Sequence, residues 1–199
     1  LPALYRSEVG VASSIQKLLS SQTHPLPNIQ VELAIGWVED RLDICLAAAQ
    51  KEAVRQVCQN QVVVITGGPG VGKTTLVRSL LEIFEAKGLK SVLTAPTGRA
   101  AKRLAETTGR DAMTIHRRLE FDPASGSFKR NQRNPLAGDL FVLDETSMVD
   151  VVLGHQFLRA IPGAAAVVLV GDTDQLPSVG PGSVLADLIA SRTIPVVRL

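Results

Sequence analysis

The apolar residues of this chain follow two alternating patterns, short continuous runs and longer stretches that repeat every three to four positions. The continuous runs have the length and β-branched content of buried strands and cover residues 62–66, 91–95, 140–143, 165–170 and, more weakly, 195–197. The repeating stretches predict helices at 72–86, 99–107, 149–160 and 183–190. Strands that alternate with helices form a parallel sheet with helices on both faces. The pattern therefore predicts an α/β fold.

The first 46 residues carry helical patterns only. Val11, Ile15 and Leu18 recur at helical spacing, as do Ile35 and Val38, and a proline-containing linker separates the two groups. A third helical stretch covers 47–58. We expect N-terminal helices in a lead-in segment, residues 1–46, followed by the main domain, residues 47–199.

Residues 119–131 interrupt the alternation. Their centre, from Asp122 to Gly126, is a cluster of turn-forming residues between short strand-like flanks. We expect a small β-hairpin insertion that projects from the sheet, with Phe121 and Phe128 bracing its arms.

Composition narrows the class of protein. A chain of 199 residues with 45% hydrophobic and 20% charged residues can bury a substantial core. No apolar run is long enough to span a membrane and the first residues lack the order of a signal peptide, so we expect a cytoplasmic protein with no membrane partner. Cys45 and Cys58 lack the spacing of a disulfide framework or a zinc site.

Charge is spread unevenly, although the formal net charge is only +2. Between Gly98 and Arg133 there are nine Lys and Arg against four Asp and Glu. Such a stretch can face a polyanion or can form an ordinary solvated surface.

A phosphate-binding loop is the strongest motif. Gly67, Gly72, Lys73 and Thr74 satisfy the pattern GxxxxGK[ST] between a buried strand and a helix. Its glycines let backbone N–H groups point at phosphates, Lys73 can bridge the terminal phosphates, and the Thr74 hydroxyl can bind Mg²⁺. We expect ATP to contact the following residues: Gly68, Pro69, Gly70, Val71, Gly72, Lys73, Thr74 and Thr75.

Two further strands end in polar residues. Asp144 and Glu145 follow the run 140–143, where Asp144 would hold Mg²⁺ and Glu145 would activate the water that attacks the γ-phosphate; alternatively, the pair caps the next helix. After the run 165–170, Gln175 can sense the γ-phosphate, and Asp172 favours a turn cap. With Lys73 as the third catalytic residue, this set predicts an ATPase and argues against a phosphotransferase, which must exclude water.

The residue sequences of several motifs resemble those of one protein family. "TGGPGVGKTT", "LDETSMVD" and "VGDTDQLPSVGPG" occur in order, accompanied by "LTAPTGRAAKRL", "TIHRRLEFDPASGSF" and "AAAQKEAV". Together they resemble the RecD/TraA family of superfamily 1 DNA helicases, in its 5′-to-3′ branch. The resemblance implies a RecA-like P-loop NTPase domain that works in DNA repair or recombination.

Several roles follow from this resemblance alone. It implies that Gln50 contacts adenine, that His116 contacts single-stranded DNA and that the hairpin is a pin that splits the duplex. It also implies a DNA-phosphate site in the helicase motif Ia, formed by Pro96, Thr97, Gly98 and Arg99.

The resemblance also implies partners. They are single-stranded DNA and a duplex fork, a second motor domain that this sequence lacks, and the subunits of a nuclease complex. Because that second domain supplies arginines worth about 10³- to 10⁵-fold in rate in related NTPases, we expect ATP and Mg²⁺ binding but little hydrolysis and no unwinding. A conjugative relaxase-helicase motor and a nucleotide-dependent binding module stay open as alternatives.

Overall fold

A computed structural model describes residues 2–21, 23–175 and 178–199. Within them, six parallel strands form one sheet in the order β3-β2-β6-β7-β1-β8. The strands are β1 (Val62–Thr66), β2 (Ser91–Ala95), β3 (Ala112–Thr114), β6 (Leu140–Leu143), β7 (Ala166–Gly171) and β8 (Val196–Arg198). β4 (Phe121–Asp122) and β5 (Ser127–Phe128) pair antiparallel as a separate hairpin.

Helices cover both faces of the sheet. They are α1 (Pro2–Leu19), α2 (Val31–Leu42), α3 (Ala48–Gln59), α4 (Lys73–Ala86), α5 (Gly98–Thr108), α6 (Ile115–Arg118), α7 (Val151–Arg159) and α8 (Val184–Ser191), with a 3₁₀ turn at Thr146–Met148. α1, α7 and α8 pack into the hydrophobic core on one face, and α2 to α5 pack into the core on the other. The predicted fold class is confirmed, including the small hairpin and the N-terminal helices.

The central strands are buried because both of their faces meet a helical layer. Every residue of β1, β6 and β7 is buried, which explains why these strands lack a polar alternation. The β1–β7 pairing sets Val64 beside Leu169 and Thr66 beside Gly171, so the loops after both strands emerge at one edge. That edge carries the candidate site.

The N-terminal helices are integral to the fold. Ile15 and Leu18 of α1 are buried in one core, while Ile35 and Val38 of α2 are buried in the other. The two helices therefore lie on opposite faces of the sheet, connected by the segment that contains the buried residue Leu26.

Candidate functional site

A cavity of about 220 Å³ lies at the carboxyl edge of the sheet, where the loops after β1, β6 and β7 converge. Predicted site residues that line it are Pro69, Gly70, Gly72, Lys73, Thr74, Asp144, Glu145 and Gln175. Ligand sites of open parallel sheets occupy this position because side chains at the ends of several strands meet there. The cavity thus brings together three separate motifs of the chain.

The phosphate loop has the backbone that its sequence predicts. Gly70 and Gly72 adopt left-handed conformations, with φ of 78° and 89°, that residues with a Cβ rarely tolerate. Gly72 immediately precedes α4, which begins at Lys73. The loop therefore leads directly into a helix N-terminus, where N–H groups and the helix dipole favour an anion.

Lys73 folds back over this loop. Its Nζ donates hydrogen bonds to the carbonyl oxygens of Gly67 at 2.7 Å and Gly68 at 2.8 Å. The ammonium group is thus held at the cavity wall by neutral acceptors alone, and a phosphate oxygen would be a stronger, charge-assisted acceptor.

Asp144 lies in the cavity wall directly after β6. Its backbone N–H donates to the carbonyl oxygen of Thr94 at 2.9 Å, which fixes the strand end against β2. Burial raises the pKa of the Asp144 carboxyl, the adjacent Glu145 charge raises it further, and the positive charges of Lys73 and Arg103 oppose the shift. A cation bound beside Asp144 would favour its ionised form, so this carboxyl fits a metal ligand.

Glu145 has an unusual backbone. Its φ of 51° and ψ of 41° are left-handed, although the residue is not glycine. Its carbonyl oxygen accepts the N–H of Met148 at 3.0 Å, so Glu145 also starts the 3₁₀ turn. Strained backbone of this kind concentrates at functional sites. Glu145 lines the cavity where this turn begins.

Gln175 reaches the cavity from the loop after β7 and is exposed. The loop is shaped by buried Asp172, whose Oδ1 accepts the N–H of Asp174 at 3.0 Å. Asp172 is therefore the turn cap that the sequence favoured. Leu176 and Pro177, in the same motif, lie outside the described residues.

Gln50, for which the resemblance implies a contact with adenine, lies beside the phosphate loop. It is buried and absent from the cavity lining. Its Oε1 accepts the N–H of Ala47 at 2.8 Å, and its Nε2 donates to the carbonyl oxygen of Gly72 at 3.2 Å. Both ends of the amide therefore tie the start of α3 to the phosphate loop.

Arg103 lines the cavity but was not singled out in the sequence. Helix α5 presents Ala100, Arg103, Leu104 and Thr107 to the cavity, the spacing of a single helix face. Arg103 is exposed, and it forms no ion pair within the described residues. The sequence could have identified Arg103 through its position on this one face of the helix that follows motif Ia.

The predicted DNA-binding residues of motif Ia gather at the start of α5. Thr97 is the N-cap, and its Oγ1 accepts the N–H of Ala100 at 3.2 Å. Gly98 and Arg99 are exposed in the first turn, while Pro96 is partly buried. These residues flank the cavity without lining it.

His116 belongs to an aromatic cluster at the base of the hairpin. Its ring centroid lies 5.7 Å from that of Phe121 and 5.6 Å from that of Phe128, and the two phenylalanines are 5.1 Å apart. Phe121 and Phe128 face each other across the β4–β5 pair, which is the bracing contact expected from the sequence. His116 is exposed and continues the cluster onto α6.

Two other predicted contacts stand at the margin of the site. Val71 is 37% exposed at the tip of the phosphate loop. Thr75 lies in the first turn of α4, where its carbonyl oxygen accepts the Ser79 hydroxyl at 3.0 Å. Neither lines the cavity, and of the remaining loop residues Gly68 contributes a carbonyl oxygen to Lys73.

The fold and the arrangement of Lys73, Asp144 and Glu145 around one cavity define a P-loop NTPase domain. A family model described as an AAA domain matches residues 50–181. The chain belongs to that family and, within it, to the RecD-type superfamily 1 helicases.

Curated relatives support this assignment along the whole chain. The chain is 39% identical to the ATP-dependent RecD2 DNA helicase of Deinococcus radiodurans over 200 residues, which cover 100% of the chain and 27% of that protein. It is 34% identical to the RecBCD enzyme subunit RecD of Mycobacterium tuberculosis, covering 95% of the chain and 35% of that subunit. The chain thus spans about a quarter to a third of the length of these relatives.

A solved helicase structure is similar to this chain in fold. The crystal structure of the Pif1 helicase from Candida albicans superimposes with a TM-score of 0.58 and 26% identity, covering 78% of this chain and 40% of that one. None of the helices in the described ranges is both long and apolar enough to cross a membrane.

Proposed function

We propose that this chain is the nucleotide-binding motor domain of a DNA-dependent ATPase and 5′-to-3′ DNA helicase. The observation that carries the proposal is the cavity at the carboxyl edge of the sheet. There the phosphate loop, the Asp144–Glu145 pair and Gln175 face one another although they are separated by up to about a hundred residues of sequence. Relatives named as ATP-dependent helicases support it.

In this proposal, ATP binds along the phosphate loop. Lys73 exchanges its two carbonyl partners for phosphate oxygens, and the N–H groups at the start of α4 add further donors. Thr74 and Asp144 hold Mg²⁺, which when bound would neutralise phosphate charge. Gln50 contacts adenine through its side-chain amide, which its hydrogen bond to Gly72 holds beside the loop.

Glu145 is placed for the hydrolytic step. Its carboxylate accepts a proton from the attacking water, and the residue lines the cavity beside Asp144 and Lys73. Gln175 orients the same water or the γ-phosphate, and reports nucleotide state to neighbouring elements. Arg103 supplies a second cation on the wall formed by α5, where it would contact the terminal phosphates.

DNA is proposed to bind beside this cavity. Exposed Arg99 and the N–H groups that begin α5 would hold a backbone phosphate, and His116 would contact a base or a phosphate of the single strand. The aromatic cluster stiffens the base of the hairpin, which suits a pin at a duplex fork. In the same proposal, residues 1–46 are a lead-in segment and residues 47–199 are the motor domain.

The whole protein would unwind duplex DNA in repair or recombination, with a second motor domain closing on the nucleotide. Some relatives are named as RecBCD subunits, which makes subunits of a nuclease complex candidate partners. A conjugative relaxase-helicase motor shares the same motifs and is the alternative within this class.

Nucleotide binding tests the first part of the proposal. A fluorescent, non-hydrolysable ATP analogue should bind this chain in the presence of Mg²⁺, and Lys73→Ala should weaken binding at least about tenfold, since it loses charge-assisted hydrogen bonds. Lys87→Ala, on an exposed residue just after α4, is the matched control. Equal affinity of the chain and its Lys73→Ala variant would refute the proposed pocket.

DNA binding tests the second part. Fluorescence anisotropy with single-stranded DNA should show an affinity that falls with salt and falls further in Arg99→Ala. Nucleotide binding without DNA binding, either here or in a longer protein that carries this domain, would favour the nucleotide-dependent binding module. DNA-stimulated ATP turnover by the longer protein would favour the motor.

A further inference from the structure

A second cavity of about 190 Å³ lies between α1 and α7, at the edge of the sheet opposite the nucleotide site. Helix α7 ends there at Arg159, before the chain turns into the amino end of β7. Its polar lining consists of Lys17, Arg159, His155, Ser13, Ser14 and Gln132. We call it the basic cavity, because its lining includes two cations, an imidazole and no carboxylate.

Among the described residues, the positive charges of the basic cavity have no acidic partner. Within the described ranges, neither Lys17 nor Arg159 has a carboxylate oxygen within 4.0 Å, the limit for an ion pair. Burial lowers the pKa of His155, and the nearby Arg159 charge lowers it further. The positive charge of the cavity therefore comes from Lys17, which is exposed, and Arg159, which is partly buried, and a bound anion would pair with both.

The cations are also not needed to cap their helices. At the end of α7, the N–H groups of Ala160 and Ile161 already donate to the carbonyl oxygens of Phe157 and Leu158. At the end of α1, the Ser20 hydroxyl donates to the carbonyl oxygen of Lys17 at 2.9 Å. The side chains of Lys17 and Arg159 are thus available to the cavity.

The wall of the basic cavity is closely packed. Gly10 lies inside α1, where glycine costs about 1 kcal/mol relative to alanine. A Cβ at Gly10 would collide with the imidazole ring of His155, so glycine allows that ring to rest against the α1 backbone. The Ser14 hydroxyl donates to the Gly10 carbonyl oxygen at 2.8 Å. The Ser13 hydroxyl and the Gln132 amide have no hydrogen-bond partner among the described residues, so they are the neutral donors left for a ligand.

We propose that the basic cavity binds a phosphate group, with Lys17 and Arg159 as its charged contacts and Ser13 and Gln132 as its neutral donors. Its volume exceeds the roughly 30 Å³ that a water molecule occupies in the liquid, so an oxyanion with residual water fits. The phosphate belongs either to a small phosphorylated solute or to a nucleic-acid backbone. This site is separate from the nucleotide site and does not depend on it.

Inorganic phosphate tests the site directly. The titration uses the Lys73→Ala variant of the full chain, so that the phosphate loop does not compete, and follows the Gly10 amide and the His155 ring by ¹⁵N NMR. These signals should shift saturably. Lys17→Ala and Arg159→Ala should each weaken binding about tenfold, the effect of one charge-assisted hydrogen bond. Arg6→Ala, which removes a cation elsewhere on α1, should leave the affinity unchanged.

The second arm identifies the source of the phosphate. If a short single-stranded oligonucleotide shifts the same signals and Arg159→Ala abolishes the shifts, the ligand is a nucleic-acid backbone. If inorganic phosphate alone shifts them, the ligand is a small phosphate. Thermal unfolding of each variant identifies any loss of fold. A Gln132→Glu variant, which adds a negative charge to the lining, should also weaken phosphate binding. Absence of shifts at Gly10 and His155 with either probe would overturn the proposal.

Discussion

The side-chain amide of Gln50 donates a hydrogen bond to the carbonyl oxygen of Gly72, 3.2 Å away. The first turn of α3 therefore holds the last residue of the phosphate loop, which has the left-handed backbone that the loop requires. Because Gln50 also accepts the N–H of Ala47, one side chain stabilises a helix start and a ligand site together.

Two substitutions at Gln50 separate these roles. Gln50→Ala removes both hydrogen bonds and should lower the free energy of unfolding by about 1–2 kcal/mol while weakening nucleotide binding. Gln50→Glu keeps an acceptor for Ala47 but sets a buried carboxylate oxygen against the Gly72 carbonyl oxygen, so nucleotide affinity and stability should both fall at neutral pH. In acid, where the protonated carboxyl can donate to Gly72, the loss of stability should be smaller. Urea denaturation and fluorescence titration measure the two effects. Unchanged affinity in both variants would show that this contact does not shape the loop.

Arg103→Ala should weaken binding of the ATP analogue by about tenfold and weaken ADP binding less, because the proposed contact is with the terminal phosphates. Lys102→Ala removes a cation from the same helix, and its partner is Glu106 on the exposed surface. That control should bind both nucleotides normally. An equal loss of ATP and ADP affinity in Arg103→Ala would place the guanidinium away from the γ-phosphate.

Asp144→Asn should uncouple nucleotide affinity from Mg²⁺ and stabilise the free chain at neutral pH. The pKa of Asp144 is higher in the folded chain than in the unfolded chain. Ionisation of Asp144 therefore lowers the free energy of unfolding as the pH rises from the ordinary aspartate pKa through the folded pKa. The stability difference between the variant and the parent should thus be largest at neutral pH and disappear in acid. Urea unfolding across pH, without metal, measures it; a variant less stable at neutral pH would contradict the argument.

The two cysteines should differ in reactivity. Burial raises the pKa of the Cys58 thiol to about 12, whereas Cys45 is exposed. Because the thiolate is the reactive form, a thiol reagent at mildly alkaline pH should label one cysteine in the native chain and both after unfolding. In Cys45→Ser, native labelling should be lost. Rapid labelling of Cys58 in the native chain would argue against the packing of α3.

Two helix-interior glycines should respond oppositely to alanine. Gly10→Ala places a methyl group against the ring of His155 and should cost about 1–3 kcal/mol of stability. Gly36→Ala, in α2, meets no atom within 4 Å and should stabilise by up to about 1 kcal/mol. Thermal or urea unfolding of both variants checks the contrast, and equal effects would mean that His155 moves aside easily.

Much of the fold follows from short-range pattern. The buried strands were predicted to within one residue because valine and isoleucine runs between two helical layers leave few alternatives. The edge strand β3 was not predicted, since its three residues are only partly buried and carry no β-branched run. The 3₁₀ turn Thr146–Met148 was likewise not predicted, and it lies just before the predicted helix 149–160.

The candidate site was predictable where a motif fixes local backbone. The phosphate loop and the Asp144–Glu145 pair reach the same cavity because both follow strands of one parallel sheet. Gln50 and Arg103 depend instead on how α3 and α5 pack beside the loop, which involves contacts between residues far apart in the sequence. Sequence pattern places such side chains on a helix but does not say what they face. Their roles, like those of Arg99 and His116, stay predictions.

Helix α5 has 11 residues and is therefore about 16 Å long. Thr97 caps its start and Gly98 and Arg99 lie in its first turn, while Arg103 and Thr107 line the nucleotide cavity. A short α-helix is a stiff rod, so its two functional regions cannot move independently. If DNA binds at Arg99 and ATP contacts Arg103, as proposed, a displacement of the first turn by DNA would shift the wall of the nucleotide cavity with it.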